Sequence, residues 1–236
     1  MRFWEIDLLR GIAIVMMVFF HIFFDLKFFR LFYFESTLFW WVFPRVIASI
    51  FILLVGVSLS ISYSRVSKKP RKEIAKKYVL RGLKIFSWGL IITTVTWFLV
   101  GHGFIFFGIL HFIGLSIILS YPFLRYPRFN LYFALMAMLA GVYLAGFLFP
   151  FPHLMWLGFV QEGAYSLDYF PLLPWFGLVL LGIFYGNILY PQGKRDFRIR
   201  ELNNRPEKFL SFLGKNSLLI YLLHQPLILG IIFLFS

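Results

Sequence analysis

The stretch LFWWVFPRVIASIFILLVGVSLSIS, residues 38–62, carries one charge in 25 positions. A helix needs roughly 20 consecutive apolar residues to cross the hydrocarbon core of a bilayer, so this run is long enough. Similar runs recur along the chain, at about 5–25, 78–100, 104–121, 129–149, 170–190 and 210–235. Lipid offers no partner to backbone amides and carbonyls, which restricts spanning segments to helices or to a closed barrel. The length of these runs selects helices. The chain is 61% hydrophobic and only 14% charged, more apolar surface than a soluble domain of 236 residues can bury. The sequence therefore predicts an all-α integral membrane protein with about seven transmembrane helices, forming one polytopic unit over residues 1–236 in the cell membrane.

The charge is strongly one-sided. With the N-terminus inside, 20 of the 23 Lys/Arg fall in inner segments, and only Lys27, Arg30 and Arg45 fall outside. This bias orients the chain with its N-terminus inside and its C-terminus outside. The net charge of +13 is then a membrane-topology signal rather than a nucleic-acid one. The two richest inner loops, SRVSKKPRKEIAKK and GKRDFRIRELNNRPEK, suit anionic lipid or a phosphorylated cytoplasmic ligand. Cysteine is absent, which excludes disulfides, thiolate metal sites and a cysteine nucleophile. The outer loop PFPHLMWLGFVQEGAYSLDYFP is aromatic and rich in Gly and Pro, as an interfacial loop or a cover over an outward-opening site would be.

Within the first span, EIDLLRGIAIVMMVFFHIFFD, ionisable groups sit at both ends. At about 100° per residue, Asp7, Arg10, His21 and Asp25 share one narrow face, with Arg10 and His21 about 16 Å apart along the axis. A stripe of that kind is costly against lipid and should face the protein interior or a wet cavity. Asp7 and Arg10 also suit an inner interface, and His21 and Asp25 an interhelical hydrogen bond. His111 lies in the fourth span and His224 in the seventh. No HxxxH or comparable pairing accompanies these histidines, so no metal is expected. A desolvated neutral imidazole is instead ready to act as a base. Asp25, one turn from His21, could orient it. Arg45 lies inside the second span and needs an anionic partner, for which Asp25 and Asp168 are candidates, or a ligand. Arg81 and Lys84 open the third span, as phosphate contacts or as interface anchors. In GKNSLLIYLLHQPLIL, Ser217, Tyr221 and His224 share a face, flanked by Asn216 and Gln225. That arrangement suits interhelical glue or the lining of a cavity.

The motifs EIDLLRGIAIVMMVFFH, RVIASIFILLVGVSLS, FGILHFIGLS, DYFPLLPWFGLVLLGIFYG and LGKNSLLIYLLHQP, taken together, resemble prokaryotic members of the heparan-α-glucosaminide N-acetyltransferase catalytic family. The match runs nearly end to end. LRG followed by a histidine eleven residues after the arginine also resembles the wider acyltransferase-3 membrane enzymes, whose arginine pair on the third helix is partly echoed by Arg81 and Lys84. The resemblance implies a membrane acyltransferase that takes an acetyl group from cytoplasmic acetyl-CoA. It implies delivery to an amine or hydroxyl on the outer side, an unidentified glycan or lipid-linked acceptor. Histidine catalysis carried over in this way, as a general base or as a transient carrier of the acyl group, falls on His21, with His111 second, since no histidine occurs between His21 and His102 where the lysosomal branch places its own. Asp25 and Arg45 would assist. Arg10, Arg81 and Lys84, with Asp7 beside Arg10, would serve the CoA phosphates, and His224, Gln225, Tyr221 and Asn216 would line the cavity.

Two other classes fit the same buried polar groups. One is a transporter for a small anion or lipid headgroup, weakly disfavoured by the absence of duplicated halves. The other is a non-catalytic membrane scaffold. Acyl-CoA binding separates the enzyme from both. The exposed aromatic surfaces suit lipid or the partner helix of a homo-oligomer equally.

Overall fold

A computed structural model describes residues 2–201 and 204–235. Its regular secondary structure is almost entirely helical: α1 (Trp4–Phe28), α2 (Phe43–Ser64), α3 (Arg71–Val100), α4 (Ile109–Phe123), α5 (Asn130–Leu144), α6 (Leu172–Leu189), α7 (Arg205–Lys215) and α8 (Ser217–Phe235). A π-helical turn, Leu38–Val42, leads into α2. Among the described residues six helices are long and apolar enough to cross a membrane. The seventh apolar helix, α4, has 15 residues, a length of about 22 Å against a hydrocarbon core of about 30 Å.

The two largest departures from the expected runs lie in α3 and in the last run. The run expected at 78–100 begins at Arg71, because Lys and Arg are good helix formers and continue the helix past the apolar region. The run expected at 210–235 is two helices. Residues 205–215 form α7, which Asn204 caps by accepting the Glu207 amide at 2.9 Å, with Pro206 in its first turn. Asn216 breaks the chain between α7 and α8, at φ −103° and ψ 17°, and its side-chain amide donates to the Phe212 carbonyl at 2.9 Å.

The chain divides into two compact units, one of residues up to Leu54 and from Ile199 onward, the other of Val55–Arg198. In the first unit α7 runs antiparallel to the first turns of α1. Gly11 of α1 meets the Leu210 backbone, and Gly214 of α7 meets the Asp7 carbonyl; a methyl group on either glycine would overlap the opposing backbone. The buried stripe of α7 is Glu207, Ser211 and Gly214. Farther along, α1 packs against α8 in parallel, with contacts at His21–His224, Asp25–Gln225 and Phe29–Phe233. Ile14, Met17 and Ile47 form an apolar cluster between α1 and α2, joined by Phe20, Phe43 and Phe51. α1 ends where Arg30 takes a left-handed φ of 60°. The Arg30 and Leu31 amides there bond back to the carbonyls of Lys27 and Leu26, a Schellman closure.

In the second unit α3 packs on α4, α5 packs on α6, and α6 also touches α4. Phe112, Ile117, Val179, Leu180 and Ile183 are fully buried there. The long connection after α5 is folded. Leu148–Phe149 and Val160–Gln161 pair in parallel as β1 and β2. Residues 166–170 bond to the turn before α4 through Leu167 N–H to Gly103 O at 2.9 Å and Phe170 N–H to Phe107 O at 3.0 Å.

Candidate functional site

In the first unit, α1 and α8 bring together His21, Asp25, Tyr221, His224 and Gln225. The polar stripe of α1 thus faces α7 near its start and α8 near its end. The His21 Nδ1 lies 2.9 Å from the Met17 carbonyl, one helical turn back. A carbonyl only accepts, so Nδ1 carries the proton and the Nε2 of a neutral His21 keeps its lone pair. His224 is held the same way, its Nδ1 2.6 Å from the Tyr221 carbonyl. The two rings stand nearly perpendicular, with centroids 4.7 Å apart. His224 is 8% exposed, and its Nε2 is buried with no hydrogen-bond partner. The Gln225 amide donates to both oxygens of the buried Asp25 at 2.8 Å each, leaving its own Oε1 buried without a partner. The cluster therefore offers hydrogen-bond acceptors in excess of donors. Such a place suits a ligand that brings N–H or O–H groups.

Several expected pairings do not form. Asp25 bonds Gln225, and the Met17 carbonyl orients His21 in its place. Arg45 is exposed and does not reach Asp25. Its Nη1 donates to the Trp41 carbonyl at 2.6 Å and its guanidinium covers the Trp41 ring at 4.0 Å, because the aromatic residue one turn back offers both a carbonyl and a π face. Asn216 lies at the joint between α7 and α8. At the other end of α1, Asp7 is buried, with Arg10 at 3.6 Å and Arg2 at 3.9 Å.

His111 sits in the second unit with both ring nitrogens engaged. Nδ1 accepts the Gly108 amide at 3.3 Å, and Nε2 lies 3.3 Å from the Thr93 hydroxyl, which itself donates to the Ile105 carbonyl at 2.6 Å. The ring caps the start of α4 and pins it to α3. It fits against α3 because Gly89 has no side chain; a Cβ there would press into the imidazole. Asp168 reinforces the same helix start, its Oδ2 accepting the Ile109 amide at 2.9 Å. Burial pushes the Asp168 carboxyl up to about 6 and the neighbouring Tyr169 phenol to about 12. The Tyr169 hydroxyl donates to the Met155 carbonyl at 2.6 Å. Arg81 and Lys84 lie exposed on α3.

The sequence matches the family described as Heparan-alpha-glucosaminide N-acetyltransferase, catalytic, over residues 2–226. The chain belongs to this family. As a family member with six spanning-length helices among the described residues, it is a membrane acetyltransferase in general terms. No curated protein and no solved structure matches it.

Within this family member, sequence reasoning missed the residues that act through their backbone or through distant contacts. The Met17 carbonyl carried one available signal, its position four residues before His21 on a helix. Thr93 and Gly89, which seat His111, and Asp168, which caps α4 from 59 residues away in sequence, carried none.

Proposed function

We propose that this acetyltransferase moves an acetyl group from cytoplasmic acetyl-CoA to an amine or hydroxyl acceptor, a sugar carried on a glycan or lipid, on the outer side of the cell membrane. The observation that carries the reading is the pair of backbone-held imidazoles, His21 and His224, in a buried cluster rich in unused acceptors. Acetyl-CoA brings the thioester carbonyl and a thiol leaving group. His21 is the base. Its Nδ1 is fixed by Met17, so Nε2 takes the proton of the attacking amine or hydroxyl and returns it to the departing CoA thiolate. His224 Nε2 accepts a second donor of the acceptor substrate and holds it in place. Asp25, one turn from His21, favours the imidazolium that forms, and Gln225 keeps its carboxylate in place. The second histidine, His111, has both nitrogens committed to α3 and α4, so the base is assigned to His21.

Arg10, Arg81 and Lys84 are the proposed contacts for the CoA phosphates. Arg81 and Lys84 are exposed cations, whereas Arg10 already shares its charge with Asp7. Calorimetry of acetyl-CoA with the purified protein tests the donor, with Arg10→Ala and Arg81→Ala alongside. Saturable binding weakened by either change supports the assignment. Transfer to a panel of amino sugars and polyols tests the base. His21→Ala should lose about 100-fold or more in transfer while still binding acetyl-CoA. Full transfer by that variant would overturn the assignment.

A further inference from the structure

Residues 63–84 hold nine Lys/Arg and a single carboxylate, Glu73. Retaining a loop on the cytoplasmic side needs such charge but no particular arrangement of it. Here an arrangement exists. Lys77 and Arg81 are four residues apart on α3 and share a face. The Lys77 ammonium donates to the Ser62 hydroxyl at 3.2 Å, tying α3 to the last turns of α2. Arg65 and Lys69, from the connection between the two helices, lie with Arg81 within electrostatic range of Lys77. Glu73, the one carboxylate, is 4.0 Å from Lys69 and offsets part of that lysine's charge, which leaves Lys77 and Arg81 at the centre of the group. Tyr78 is 1% exposed and its hydroxyl bonds the Leu59 carbonyl, which fixes the helix turn carrying Lys77 against α2. Like charges gathered on a fixed corner repel one another, and a multiply charged anion between them reverses the sign of that interaction.

We propose that this α2–α3 corner is a site for a phosphomonoester dianion, centred on Lys77 and Arg81 and completed by Arg65 and Lys69. It extends the acetyl-CoA reading and rests on it for one of its two sources, the 3′-phosphate of the CoA ribose. The headgroup of phosphatidic acid carries the same chemistry.

The test uses the full chain in detergent. Calorimetry compares acetyl-CoA, acetyl-dephospho-CoA and short-chain phosphatidic acid on the wild type, on Lys77→Gln and on Arg128→Gln. Arg128 lies in a separate exposed turn, so that variant controls for the loss of one charge. Unfolding temperatures verify that the variants are folded. With CoA as the source, the wild type binds acetyl-CoA about tenfold or more tightly than its dephospho form. Lys77→Gln removes most of that preference and Arg128→Gln keeps it. With lipid as the source, Lys77→Gln weakens phosphatidic acid alone and leaves the two CoA forms alike. If wild type binds no acetyl-CoA but its phosphatidic acid binding still depends on Lys77, the phosphate site stands and the acetyl-CoA reading fails. Unchanged binding of all three ligands by Lys77→Gln overturns the proposal.

Discussion

Asp168 is a carboxylate held where ionisation is costly, and that makes it visible to pH. Its Oδ2 caps α4 through the Ile109 amide, yet burial raises its pKa to about 6 from an ordinary 3.8. The folded protein therefore binds the proton more tightly than the unfolded chain. Between about pH 4 and 6 this group makes stability fall as pH rises, and above that window the loss is complete. Asn at this position keeps an oxygen for Ile109 and cannot ionise. Asp168→Asn should match the wild type near pH 4 and exceed it at pH 7, by on the order of 3 kcal/mol at most. Thermal unfolding in detergent from pH 4 to 8 reads this as a difference between the two proteins, so other titrating groups cancel. A variant less stable than wild type at every pH would show that the cap depends on the charge. The contrast among histidines belongs to the same scale. His21 and His111 looked alike in the sequence, both isolated in apolar runs. What separates them is the partner of each nitrogen, a carbonyl at one end of His21 against an amide and a hydroxyl for His111. The Met17 carbonyl lies within reach of the helical repeat, but the Thr93 hydroxyl, 18 residues from His111 and on another helix, does not.

Among the elements, α7 explains how the polar end of α1 is covered. It sets Glu207, Ser211 and Gly214 against α1 and turns Phe209 and Phe212, each 60% exposed, outward beside Arg205, Lys208 and Lys215. Aromatic rings among cations suit a membrane surface. Read as a continuous apolar run, residues 210–235 concealed this helix, because Leu210, Phe212 and Leu213 have the composition of the span that follows. The break is a local conformation at Asn216 that hydropathy does not register. The periodicity of α1 was legible, since a stripe of ionisable groups needs only the helical repeat to reveal it. The α1–α7 seam has no slack, as the backbones meet at Gly11 and Gly214. Gly214→Val should force the helices apart and cost about 1–3 kcal/mol or more. The expected result is a clear fall in unfolding temperature. Gly230→Val makes the comparison, because a Cβ at Gly230 meets nothing within 4 Å. Equal melting of the two variants would mean that the seam carries no stability.

Across the whole chain, the decisive quantity is the number of crossings. α1 and α8 run parallel in the first unit, which fits an odd number, with the two termini on opposite sides. The Lys/Arg bias asks for the same arrangement, with residues 63–84 and 191–215 inside. The weak point is α4, whose length of about 22 Å leaves open a dip that does not cross. Because the natural sequence contains no cysteine, single cysteines report sidedness without background. Ser67, Glu162 and Lys208 are exposed, and each lies between a different pair of the apolar helices, Lys208 on α7. With seven crossings and the N-terminus inside, an impermeant maleimide should label Glu162→Cys in intact cells. Ser67→Cys and Lys208→Cys should react only after permeabilisation. If α4 enters and leaves by the same face, every later connection changes side. Glu162→Cys would then be protected and Lys208→Cys labelled, with Ser67→Cys unchanged. Inversion at all three positions would instead keep α4 as a full crossing and reverse the orientation. It would place the α2–α3 cations on the face away from cytoplasmic CoA.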